Sequence, residues 1–125
     1  MKKILIVDDD ADIRLAISTL LEGKYELKEA SSRSEAMETL KTFVPDLVVL
    51  DVMMEENDSG FNLAREIKDD DRLKNIKILM TTNIDNEMNM DFKKEAGDPD
   101  WLPVDDYIVK PVEAKSFLPK IEKLI

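Results

Sequence analysis

Five short apolar runs, rich in β-branched residues, alternate along the chain with longer stretches whose apolar residues recur at helical spacing. The runs are KILIV (3–7), YELKEA (25–30), DLVVL (46–50), IKILMTT (76–82) and DYIV (106–109). The first and third are the least interrupted by polar residues, which predicts strands buried on both faces, as in a parallel sheet. Between the first two runs, Ile13, Ala16, Ile17, Leu20 and Leu21 fall at i, i+3, i+4, i+7 and i+8 and give one helix an apolar stripe, with Gly23 placed to end it. Ser32 and Glu35 have capping-box spacing ahead of Ala36, Leu40 and Phe43, and Pro45 lies beyond the end. A third helix is predicted from about Phe61 to Lys68 and a fourth from about Asn86 to Ala96. In the last helix Phe117, Leu118, Ile121, Leu124 and Ile125 form the inner face. Pro119 would cost that helix roughly 3 kcal/mol in its interior. With Ser116 as the cap, Pro119 falls in the first turn, where its missing N–H matters little.

Repeated βα units need crossovers, and right-handed crossovers put helices on both faces of the sheet. The predicted fold is therefore α/β, a doubly wound parallel sheet, and 125 residues fit one domain over positions 1–125. In such sheets ligands bind beyond the carboxyl ends of the strands, near the topological switch point. That edge should collect Asp8 and Asp9 after the first strand, Asp51 after the third, Thr82 at the end of the fourth and Lys110 after the fifth.

Composition narrows the chemistry. Eighteen Lys and Arg against 28 Asp and Glu leave a net charge of −10, which disfavours nucleic acid and anionic membranes as partners. The absence of Cys removes disulfides and thiolate nucleophiles, and the absence of His removes the usual general base, the usual transition-metal ligand and any phosphohistidine role. Carboxylates, hydroxyls and lysines remain, and an oxygen-only donor set suits a hard cation. The apolar run after MKK stops at Asp8, far short of a signal peptide, and no stretch approaches a membrane span, so a cytoplasmic location is expected.

Three adjacent carboxylates, Asp8, Asp9 and Asp10, repel one another unless water, a cation or donor groups compensate them. Asp8, Asp10 and Asp12 imitate the start of an EF-hand loop, but Ile13 stands where glycine is needed and Thr19 where the closing glutamate is needed. The run KDDDR at 68–72 reads as a solvated helix end.

The segments ILIVDDDADIR, PDLVVLDVMM, ILMTT closed by Thr82, and DDYIVKP, in this order, resemble the receiver domain of bacterial two-component response regulators over essentially the whole chain. The resemblance implies a five-stranded, flavodoxin-like (βα)5 fold. It implies that Asp51 accepts a phosphoryl group from the phosphohistidine of a sensor histidine kinase or phosphotransfer protein. It places magnesium on Asp9 directly, on Asp8 through water, on Asp51 and on the backbone carbonyl of Met53, with Asp10 assisting without ligating. Lys110 and Thr82 become donors to the phosphoryl oxygens, Pro111 follows Lys110 through a cis bond, and Thr82 with Tyr107 forms a switch pair. The activity implied is that of a signalling phosphoacceptor, not of an enzyme with a separate substrate, and its output is a downstream effector protein or a second receiver.

The chain also departs from the family pattern. Glu55 replaces a usual proline and about one residue is added before Gly60; Asn83 replaces a small residue and Val112 a frequent aromatic. DPDWLPV lengthens the link before the fifth strand by roughly six residues, against the short loops that are the norm. Trp101 within it either joins a partner-docking surface or folds down on the sheet edge. Apolar Met53 and Ile84, two places after Asp51 and Thr82, imply slow loss of the phosphoryl group. Two other readings are a degenerate receiver acting only as a binding module and a phosphohydrolase of haloacid-dehalogenase type. The first is opposed by the intact Asp8, Asp9, Asp51, Thr82 and Lys110. The second wants an Asp where Met53 stands. With its end at Ile125, the chain is expected to be a stand-alone regulator or an excised receiver.

Overall fold

In the computed structural model, which describes residues 1–51, 59–82, 104–109 and 112–125, the five apolar runs all become strands of one sheet. They are β1 (Lys3–Val7), β2 (Glu26–Ala30), β3 (Leu47–Asp51), β4 (Lys77–Thr82) and β5 (Asp106–Val109). Every pairing is parallel and the spatial order is β2-β1-β3-β4-β5. The chain turns outward from β1 to β2 and then returns across β1 to β3, so the switch point lies between β1 and β3. The described helices are α1 (Ala11–Leu21), α2 (Arg33–Leu40), α3 (Ser59–Asp69) and α4 (Ala114–Leu124). The helix predicted over 86–96 lies outside the described residues.

The two-residue period of the strands divides the core into two layers. Ile4, Ile6, Leu47, Val49, Leu79 and Ile108 face one side, where Ile17 and Leu21 of α1 and Phe117 and Ile121 of α4 cover them. Leu5, Val7, Val48, Leu50, Ile78 and Met80 face the other, under Ala36 and Leu40 of α2 and Leu63, Ala64 and Ile67 of α3. β3 is buried along its whole length and β1 from Ile4 onward, as the unbroken runs predict. β2 is an edge strand, and its Glu26, Lys28 and Glu29 keep that edge charged and in water.

The helix ends follow the sequence signals in part. Gly23 takes the positive φ of 81° that follows α1, a conformation open to glycine without a Cβ clash. Ser32 Oγ accepts the Glu35 N–H at 3.1 Å, as half of a capping box requires. The reciprocal half is shifted, because the Glu35 carboxylate accepts from the N–H and hydroxyl of Ser31 at 3.2 and 3.1 Å. The expected start of the last helix at Ser116 needs correction: α4 begins at Ala114 after Glu113, and Pro119 lies inside it. The first bond of i→i−4 type is Phe117 N–H to Glu113 O at 2.9 Å, so Pro119 removes the bond that the Lys115 carbonyl would accept. Phe117 and Ile121 are each 0% exposed, and burial of two such side chains, about 1.5–3 kcal/mol apiece, offsets that loss.

Tyr25, just before β2, packs partly buried against the layer under α1 and α4. Burial first, and the negative charge of Glu122 second, raise its phenol above the ordinary value of 10.0. The native state therefore holds this proton after the unfolded chain has released it. The stability that Tyr25 contributes is intact below pH 10.0 and is lost as pH rises beyond it. Melting curves taken across that range should show a shallower alkaline decline for Tyr25→Phe than for the native chain; equal slopes would refute the linkage. Among the described residues, no helix is long and apolar enough to cross a membrane.

Candidate functional site

The ladder between β1 and β3 ends with Val7 opposite Leu50, and the next residue on each strand is an aspartate, Asp8 and Asp51. Both are almost fully buried, at 1% and 2% exposure, while Asp9 is exposed. One carboxylate oxygen from each of Asp8, Asp9 and Asp51 lies within 4.8 Å of the others. The three are thus gathered at the switch point of the sheet, on its carboxyl edge.

Local hydrogen bonds shape this edge. The Asp8 N–H donates to Ala30 O at 3.1 Å, and the Asp10 N–H donates to Asp8 Oδ1 at 2.9 Å. Asp10 itself turns away from the cluster to cap α1: its Oδ1 accepts the N–H groups of Asp12 at 2.9 Å and Ile13 at 3.4 Å. Of the three consecutive carboxylates, two belong to the site and the third starts the helix that follows. An Asp directly ahead of a helical apolar stripe is the signal that could have assigned this role from sequence.

The donor set fits a hard cation. Oxygens on one octahedral shell of about 2.1 Å radius sit roughly 3–4 Å apart. A set spread over 4.8 Å accommodates such an ion with a carboxylate reached through water. All three donors are carboxylate oxygens, the ligand type that hard divalent ions prefer.

The remaining predicted site residues are placed in part. Thr81 pairs with Asp51, so Thr82 lies one residue farther along β4, opposite Val109. Tyr107 pairs with Met80 and packs partly buried on the layer under α2 and α3. Met53, Lys110 and Trp101 lie outside the described residues, as do Glu55, Asn83, Ile84 and Pro111.

Thr81 is a feature the sequence did not announce. It is 1% exposed, and its Oγ1 has no hydrogen-bond partner among the described residues. A buried hydroxyl in that state costs about 1–3 kcal/mol. Thr81→Val, which keeps the shape and removes the hydroxyl, should raise stability by about 1 kcal/mol in urea unfolding. A fall in stability would mean that the hydroxyl is paired in solution.

The carboxylates of Asp8, Asp9 and Asp51 thus stand at the switch point of a doubly wound α/β sheet, the place where ligands bind in proteins of this class. Comparison with known proteins is more specific. Residues 4–122 match the model of the response regulator receiver domain, and the chain belongs to that family. It is 36% identical over 125 residues to the phosphate regulon transcriptional regulatory protein PhoB of Pseudomonas aeruginosa, covering 99% of this chain and 52% of that protein. It is 34% identical over 125 residues to the chemotaxis protein CheY of Halobacterium salinarum, covering 99% of this chain and 97% of CheY. The chain thus spans about half the length of the first relative and nearly all of the second. Among solved structures, chemotaxis protein CheY4 of Vibrio cholerae superimposes with a TM-score of 0.83 at 25% identity, over 100% of this chain and 99% of that one.

Proposed function

We propose that the chain is a phosphorylation-driven switch that takes a phosphoryl group onto Asp51 from a histidine kinase or phosphotransfer protein. The observation that carries this reading is the meeting of Asp8, Asp9 and Asp51 at the carboxyl edge of a receiver-family sheet. An Asp51 carboxylate oxygen bonds to phosphorus as the bond from phosphorus to the donor's leaving atom breaks. The leaving group keeps that electron pair, and an acyl phosphate results. A carboxylate is ionised near neutral pH without help, so a chain lacking histidine has no need of a general base.

Asp8, Asp9, Asp51 and the Met53 carbonyl are the groups that would hold magnesium, which when bound supplies neutralisation of two anionic reactants. Lys110 and the Thr82 hydroxyl act as donors to the peripheral phosphoryl oxygens. The register supports Thr82 in this role, since its neighbour Thr81 is the partner of Asp51. Thr82 and Tyr107 then serve as the switch pair, and phosphorylation shifts a pre-existing population between two conformations.

In this reading the chemistry acts on the chain itself and not on a separate substrate. The partners are a phosphodonor protein and a downstream effector protein or second receiver, with Trp101 as part of the docking surface. A net charge of −10 supports protein partners over nucleic acid or membrane, and the setting is cytoplasmic. The apolar Met53 and Ile84 support a long-lived phosphorylated form. The test is incubation with acetyl phosphate and magnesium followed by intact-mass measurement. One phosphoryl group should be gained, lost slowly, and not gained in excess chelator. No gain at all would overturn the reading, and loss within seconds would overturn the slow decay alone.

A further inference from the structure

The peptide that joins Asp8 to Asp9 is held by a side chain from α1. Arg14 donates through Nη1 to the Asp8 backbone oxygen, and through Nε to Glu29 Oε1 of β2 at 3.2 Å. Its side chain is only 18% exposed, and its own N–H donates to Asp10 O at 3.1 Å. Asp8 follows directly on β1, and its N–H bonds on the β2 side, to Ala30 O. A guanidinium is a rigid planar fork, so two of its N–H groups engaged in different directions fix its plane.

We propose that Arg14 is a positioning residue for divalent-cation binding, tying the Asp8–Asp9 peptide to β2 so that both carboxylates stand where the ion needs them. The physical route is short. The peptide unit is planar, so fixing the direction of the Asp8 carbonyl fixes the ψ of Asp8 and with it the position of the Asp9 Cα. That position bears on whether a buried carboxylate and an exposed one converge on Asp51. Glu29 sits opposite Ile6 in the β1–β2 register, which places the far anchor of the guanidinium two residues back from Asp8.

The inference rests on the reading that Asp8, Asp9 and Asp51 hold a cation, and it makes a prediction of opposite sign to simple electrostatics. As a bare positive charge, Arg14 would repel a divalent ion, and removing it would tighten binding. As a positioning group its loss weakens binding. The experiment is a titration of the full chain with Mn²⁺, read by the paramagnetic resonance of free ion and needing no phosphoryl transfer. Arg14→Lys keeps the charge but loses the fork, and Arg14→Met loses both.

Positioning predicts affinity reduced about tenfold in both variants, the scale seen when a group that orients a metal ligand is removed. Lys68→Met is the control for general softening. Lys68 Nζ bonds Ile76 O at 2.8 Å and Asp105 Oδ2 at 3.1 Å, at the opposite edge of the sheet, so its loss should lower the melting temperature and leave Mn²⁺ affinity unchanged. Unchanged affinity in Arg14→Lys, or tighter binding in Arg14→Met, overturns the proposal while leaving the cation site standing. A native chain that binds no Mn²⁺ overturns the cation reading itself and the Arg14 role with it.

Discussion

An Asp51→Asn chain incubated with acetyl phosphate and magnesium will keep its unmodified mass while the native chain gains one phosphoryl group, and in metal-free buffer it will be the more stable of the two. The two effects have one origin. The Asp51 carboxylate is buried at 2% exposure within 4.8 Å of oxygens from Asp8 and Asp9, an arrangement suited to capturing a cation and an electrophile but costly on its own. Asparagine preserves the size of the side chain, loses the nucleophilic oxygen pair and removes one of three mutually repelling charges. Two unit charges about 4 Å apart repel by roughly 4 kcal/mol at an effective dielectric of 20. Screening through exposed Asp9 brings the expected gain to about 2 kcal/mol, measured by urea unfolding at low ionic strength. The opposite signs guard against a trivial outcome, since a variant that failed by misfolding would lose stability with activity. Phosphoryl uptake by the Asn variant would move the acceptor to another residue, and reduced stability would show that the triad is not a site of net repulsion.

The parts of this design that the sequence makes legible are those set by periodicity and topology. Runs such as ILIV and LVVL can be buried on both faces only in a sheet with helices on either side, and β1 and β3 are so buried. Once the strands are parallel, an aspartate after the first and another at the end of the third must meet, because the crossover order makes those strands neighbours. What periodicity cannot carry is the choice between competing local signals and any contact that depends on register. Ser116 offers a cap, yet α4 starts two residues before it and accepts Pro119 in its interior, because burying Phe117 and Ile121 outweighs one missing hydrogen bond. Asp10 reads as a third member of an acidic cluster until the α1 N–H groups are seen to claim it. The contact of Arg14 with Glu29 joins residues 15 apart in sequence and follows only from the pairing of Ile6 with Glu29. The buried hydroxyl of Thr81 belongs to the same group, since nothing in ILMTT separates a satisfied threonine from an unsatisfied one.

Magnesium should raise the melting temperature of the native chain well beyond what ionic strength alone achieves, and Asp9→Asn should abolish that excess. A ligand that binds only the folded state stabilises it by RT ln(1 + [L]/Kd), about 1.4 kcal/mol at ten times Kd. For a chain of 125 residues the entropy of unfolding converts this to a shift of about 5 °C. The control matters because the chain carries a net charge of −10, so any salt relieves self-repulsion and raises stability a little. Sodium chloride at matched ionic strength isolates the specific part. Asp9 is the informative position: it is exposed, so replacing it removes a ligand without opening a cavity, whereas Asp8 and Asp51 are buried and their loss would disturb packing as well. In Asp9→Asn the magnesium shift should fall to the sodium level, while the metal-free chain melts no lower than the native one because a repelling charge has gone. An equal magnesium shift in both chains would place the bound ion elsewhere on the acidic surface and separate the carboxylate triad from cation binding.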